Sequence, residues 1–121
     1  MKKAILMVMT ATLLSTGAHA ALTYVGKDST AGFDASGFPA DMKTTYKLMQ
    51  TKCNNPKCHT MQYVQDAIRT GNAPISKGPF DKAAAKAYGV KMMRRPDSGI
   101  DKGEAKSIVE LLYFLLDEKL K

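Results

Sequence analysis

The chain contains no tryptophan, only nine aromatic side chains in 121 residues, two cysteines and two histidines. Two thiols allow one disulfide at most, so the chain cannot be a disulfide-dense scaffold. Past the first twenty residues, no stretch reaches the roughly 18 to 20 apolar residues of a membrane-spanning helix. No internal repeat and no low-complexity run occurs, so repeat arrays and disordered tracts are set aside. About a hundred residues form one domain, and so short a chain buries little apolar surface per residue. A staple or a cofactor would enlarge its core.

The N-terminus carries its own message. Lys2 and Lys3, the apolar run "AILMVMTATLLSTG" and "AHA" ending at Ala20 have the form of a secretory signal peptide, residues 1–20, cut after Ala20. No cysteine stands at the cut to carry a lipid. The expectation is an exported, periplasmic protein without stable membrane insertion; an uncleaved N-terminal anchor is the alternative. Cleavage removes two lysines and no acid, so the formal charge of +7 becomes +5, and His59 is left as the sole histidine. Export also sets nucleic acid aside as the partner of this basic surface, and no interleaving of aromatic and basic residues suggests it.

Residues 21–38, rich in Gly, Ser, Asp and Thr, read as an arm or long loop packed through Tyr24, Phe33 and Phe38. Pro39 suits the first turn of a helix carrying Met42, Tyr46, Met49 and Cys53 on one face. Asn54, Asn55 and Pro56 interrupt it, and a bulge is expected there. A second helix follows His59, with Met61, Val64, Gln65 and Ile68 in one stripe and Gly71 as its C-cap. Pro79 opens a third, short helix stopped by Gly89, with Phe80, Ala84 and Ala87 or Tyr88 inward. Asp101 and Glu104 form a capping box behind Ile100 and open a last helix whose buried face is Ile108, Leu111, Leu112 and Leu115. The fold class predicted is all-α, with four helices and long loops, the domain proper covering residues 39–121.

The stretch "CNNPKCH" gathers both cysteines and the remaining histidine into seven residues. Three chemistries compete for it. An exported chain with an even cysteine count normally oxidises, and a Cys53–Cys58 disulfide would make this a cofactor-free, stapled binding module; so short a loop would stabilise little. Zinc would need a carboxylate to complete two thiolates and one imidazole. Covalent haem uses two thiols on the porphyrin vinyls and an imidazole directly after the second thiol, under the iron. The adjacency of Cys58 and His59 is demanded by haem alone.

"CNNPKCH" resembles the C-x4-C-H variant of the attachment motif found among multihaem cytochromes of anaerobic bacteria. "VKMMRRPDSGIDKGEAKSIVELLYFL" resembles the C-terminal part of small single-haem c-type cytochromes, where a methionine, a basic residue and a proline precede a Ser-Gly-Ile turn and the last helix. The resemblance covers residues 39–121. It implies a small cytochrome c-like helical domain wrapped around one covalent haem c, with Cys53 and Cys58 as attachment points and His59 as one axial ligand. The second ligand is the methionine four residues before the proline, here Met92. The first and last helices would then cross at the haem edge, Tyr46 and Met49 meeting Tyr113 or Phe114.

The chemistry of the residues agrees, since a thioether is a neutral, soft ligand for iron that cycles between two charge states. Met93 is the alternative ligand. If the chain runs extended after Gly89, Val90 and Met92 share one side and Lys91 and Met93 the other, which favours Met92 beside a pocket; a turn at "MMRR" would favour Met93. Met42, Met49 and Met61 fit ordinary packing stripes. With both axial positions filled by protein, the expected function is one-electron transfer without enzymatic chemistry. Lys57, Lys91, Arg94 and Arg95 would then steer acidic redox partners, other cytochromes or a terminal reductase or oxidase. A haem-based gas sensor or peroxidase-like protein with a displaceable methionine is the rival reading.

Overall fold

In a computed structural model of the protein, residues 21–54 and 59–121 are described. The signal-peptide expectation for residues 1–20, the bulge at 55–56, and Lys57 and Cys58 lie outside them. Four helices carry the fold: α1 Ala40–Cys53, α2 Met61–Thr70, α3 Lys82–Met93 and α4 Lys102–Lys119. The fold is mostly helical, as expected. The arm adds a small antiparallel ladder, β1 Tyr24–Val25 paired with β2 Gly32–Phe33, joined through a 3-10 turn at Asp28–Thr30. None of the described helices is long and apolar enough to cross a membrane.

Helix α4 is the centre of the molecule and packs against the other three helices, most extensively α3. Its start follows from local chemistry: Asp101 accepts from the Glu104 amide at 2.8 Å, and Glu104 accepts from the Asp101 amide at 3.0 Å. Ile108, Leu111, Leu112 and Leu115 are all buried on its inner face. They meet Tyr46, Met49 and Cys53 of α1 and Met61, Ala67 and Ile68 of α2 in one core. Met49 and Met61 are fully buried and Met42 is half-buried, which suits their reading as packing residues. Phe38 stands between α1 and α4, its ring 5.9 Å from Tyr46 and 5.1 Å from Phe114. Helix α2 ends as expected on Gly71 in the left-handed conformation, φ 73°, its amide donating to Ala67.

Helix α3 departs from the expectation at both ends. Asp81, not Pro79, starts it, its carboxylate accepting from the Ala84 amide at 2.9 Å. Gly89 does not stop it. The helix runs on to Met93, and Gly89 is buried against α4 where any Cβ would collide with the Val109 side chain. The glycine thus serves close helix approach rather than termination. In consequence Val90–Met93 are helical, not extended. Ala85 is buried and Ala87 exposed; of the alternatives Ala87 and Tyr88, Tyr88 is the one packed inward.

Candidate functional site

Helices α1 and α2 are joined by the segment that carries "CNNPKCH", and its two ends are held close by side chains. Asn54, just past α1, accepts from the Met61 amide at the head of α2 at 2.8 Å. That amide is one of the donors a helix start leaves without an internal partner. Thr60 caps the same helix, accepting from the Gln62 amide. Cys53 ends α1 and is buried, and burial pushes its thiol up to about 11. Burial thus favours its neutral form over the thiolate.

His59 follows at the mouth of a cavity. Its Nδ1 lies 3.0 Å from the Thr60 carbonyl oxygen, and its ring packs 5.4 Å from that of Tyr63. A carbonyl can only accept, so Nδ1 carries the proton in this contact and Nε2 keeps its lone pair for a ligand.

The cavity beside it encloses about 230 Å³. That exceeds the roughly 150 Å³ that takes up a benzene-sized guest in an apolar core. Cys53 and His59 line it from one direction, and Tyr88 and Met92 reach it from α3. Its walls are mostly apolar, including Val64, Phe80, Ile100 and Leu112. One wall comes from the loop after α2, which the sequence marked only as a connection. Hydrogen bonds from Ala73 to Gly78, from Lys77 to Ala73 and from Phe80 to Gly71 fold that loop into a compact turn. It brings Ala73, Pro74 and the exposed Ile75 to the cavity.

Of the two candidate methionines, Met92 lines the cavity and Met93 does not; Met93 is half-buried against the core. The reason is helical period. Tyr88, Lys91 and Met92 recur at steps of three and one, the spacing of a single helix face, and Arg95 follows just past the helix end. The alternation argument is corrected here, since Lys91 and not Val90 shares the cavity with Met92.

Charge at the rim is of one sign. Lys52, Lys91 and Arg95 line the cavity and no carboxylate does. Lys52 is tied back, donating to the Gly99 carbonyl at 2.6 Å with Glu104 at 3.6 Å, which joins the end of α1 to the approach to α4. The Lys91 ammonium stands 5.9 Å above the Tyr88 ring. Arg94 is exposed next to this rim but does not line the cavity.

These residues can be weighed against each candidate guest. A zinc site needs a carboxylate beside the thiolates and His59, and among the described residues the cavity lining has none. Covalent haem needs apolar walls, two thiols, an imidazole and a second neutral ligand; among the described residues the lining holds the apolar walls, Cys53, His59 and Met92, and Cys58 lies outside them.

Sequence reasoning gave no site role to Asn54 or Tyr63, and placed Tyr88 and Gln65 only on inward helix faces. Asn54 left a signal as an Asx residue directly after the end of α1. In comparisons with known proteins, no family model, no curated protein and no solved structure matches the chain.

Proposed function

We propose that the protein is an exported, periplasmic carrier of single electrons with one covalent haem c. Cys53 and Cys58 tether the porphyrin through thioether bonds, and His59 and Met92 bind the iron. The observation that carries this reading is the convergence of Cys53 and His59, from the one short stretch joining α1 to α2, with Met92 of α3 on one apolar cavity.

Bound there, haem supplies one-electron redox chemistry through its iron. The chain's own residues supply the rest. The Thr60 carbonyl holds the His59 proton on Nδ1, so Nε2 is the ligating atom and the imidazole gains basicity. Met92 contributes an uncharged sulfur, which favours the reduced state relative to a second imidazole. Val64, Ile100 and Leu112 exclude water from the apolar interior. Neither ligand position is left for substrate, so bond chemistry is not expected. Lys91, Arg94 and Arg95 beside the cavity would attract an acidic redox protein to the edge from which the electron leaves.

The test is chemical. After expression with a cytochrome maturation system, haem should stay on the polypeptide through acid-acetone extraction and denaturing electrophoresis, because thioether bonds survive both. A colourless protein in which Cys53 and Cys58 form a disulfide would overturn the reading.

A further inference from the structure

The arm over residues 21–38 has no part in the cavity, yet it is bound to the stretch that flanks the haem-attachment residues by an unusual set of side-chain amides. Asn54, besides accepting from Met61, donates through Nδ2 to the Ser29 carbonyl at 3.0 Å. Gln62 accepts from the Asp28 amide at 2.8 Å. Gln65, the one buried polar side chain among the described residues, donates from Nε2 to the Val25 carbonyl at 2.8 Å and to the Gly32 carbonyl at 2.9 Å. Three amides within twelve residues thus hold the backbone of the arm at Val25, Asp28, Ser29 and Gly32.

The arm is shaped for this. Asp28 takes a left-handed φ of 53°, rare for a residue with a side chain, at the point where its amide meets Gln62. Gly32 leaves room for the Tyr46 hydroxyl where a Cβ would strike it, and that hydroxyl accepts from the Phe33 amide at 2.8 Å. The arm is therefore fastened to α1 through Tyr46 and to α2 through Gln62 and Gln65. Asn54 bonds to both the arm and the head of α2.

We propose that residues 25–32 are a brace for the haem-binding stretch, and that Asn54 is the positioning residue through which the brace sets His59. The inference rests on the electron-carrier reading for what His59 binds. Its physical content is simple. Four residues stand between the cysteines instead of two, and a longer loop costs more entropy to close. The clamp fixes those ends from outside: Asn54 follows Cys53 directly, and Met61 stands two residues after His59. A register set in this way places the imidazole before haem is attached, as partners of a ligating histidine do in other metal sites.

Three full-length variants test it, each compared with the wild-type holoprotein. Asn54→Ala removes both bonds, Asn54→Asp keeps the acceptor for Met61 but loses the donor to Ser29, and Gln62→Met touches the arm without touching the cavity. Haem per chain, reduction potential and backbone amide exchange are measured for each. Exchange at Met61 should rise about five- to tenfold in Asn54→Ala, the loss of one hydrogen bond, and stay near wild type in Asn54→Asp. Haem per chain should fall at least about twofold in Asn54→Ala, because the head of α2 next to His59 then loses its fixed register. The reduction potential should move in all three variants, including Gln62→Met. If Asn54→Asp and Gln62→Met both keep wild-type haem content and potential, the brace is overturned, even where melting temperatures fall. Should wild-type protein carry no covalent haem, the electron-carrier reading fails; Met61 exchange then still decides whether the clamp exists.

Discussion

Met92 and Met93 are neighbours in sequence and about 100° apart around α3; both pack against the core, and that rotation brings only Met92 to the cavity. Their substitutions should differ accordingly. Ferric haem with His/Met ligation has a weak charge-transfer band in the far red that disappears when sulfur leaves the iron. Met92→Ala should abolish the band and lower the reduction potential, while Met93→Ala should keep it and lose stability by about 1 to 3 kcal/mol in urea unfolding, for a half-buried side chain. The reverse pattern would move the ligand to Met93, and wild-type protein without the band would reopen the sensor reading. His59 shows the same dependence on local geometry. Its identity as the only histidine after residue 20 was plain from the sequence. The protonation of Nδ1 follows from a carbonyl 3.0 Å away that composition could not reveal.

At the scale of the element, α3 is the instructive case. Glycine read by propensity alone marks a helix end, because it costs about 1 kcal/mol against alanine in a helix interior. Here the approach of α4 overrides that cost: Gly89 sits under Val109, and the helix continues for another turn. That extra turn carries Lys91 and Met92 to the cavity. Gly89→Ala should therefore destabilise the fold by about 1 to 3 kcal/mol through overpacking, despite the better helix former. Gly89→Ala combined with Val109→Ala should recover part of the loss. Urea midpoints of the two variants against wild type check this, and a Gly89→Ala protein as stable as wild type would show that the helices can part without cost. Helix α4, in contrast, was legible throughout. Its capping box is a local pattern and its stripe an ordinary helical period, so no distant contact was needed to find either.

For the whole molecule, the basic balance acquires a direction. Lys52 is engaged with Gly99 and Glu104, and Lys82 with Asp117 at 2.9 Å. Lys91, Arg94 and Arg95 instead lie exposed along the end of α3, with Lys91 and Arg95 at the cavity rim. Electron exchange with an acidic redox protein should slow as ionic strength rises from about 0.01 M to 0.15 M, over which the screening length falls from about 30 Å to about 8 Å. Arg94→Glu and Lys91→Glu should each slow the exchange several-fold at low salt and flatten its salt dependence. Stopped-flow rates across a salt series measure both effects. A flat profile for wild-type protein would reduce the basic face to a solubilising surface.

What the sequence by itself determined is whatever depends on neighbours a few residues apart: the buried stripes of α1, α2 and α4, the Asp101 and Gly71 caps, and the grouping of thiols and imidazole in one short stretch. Those patterns obey local geometry and need no knowledge of what lies opposite. The tertiary structure alone decided which turn of α3 faces the cavity, that the loop after α2 forms one of its walls, and that the arm is fastened to Asn54, Gln62 and Gln65. Each of these depends on contacts between residues far apart in the chain. A buried amide or a glycine at a helix crossing has no local preference that announces its partner, so only the packed fold could supply it.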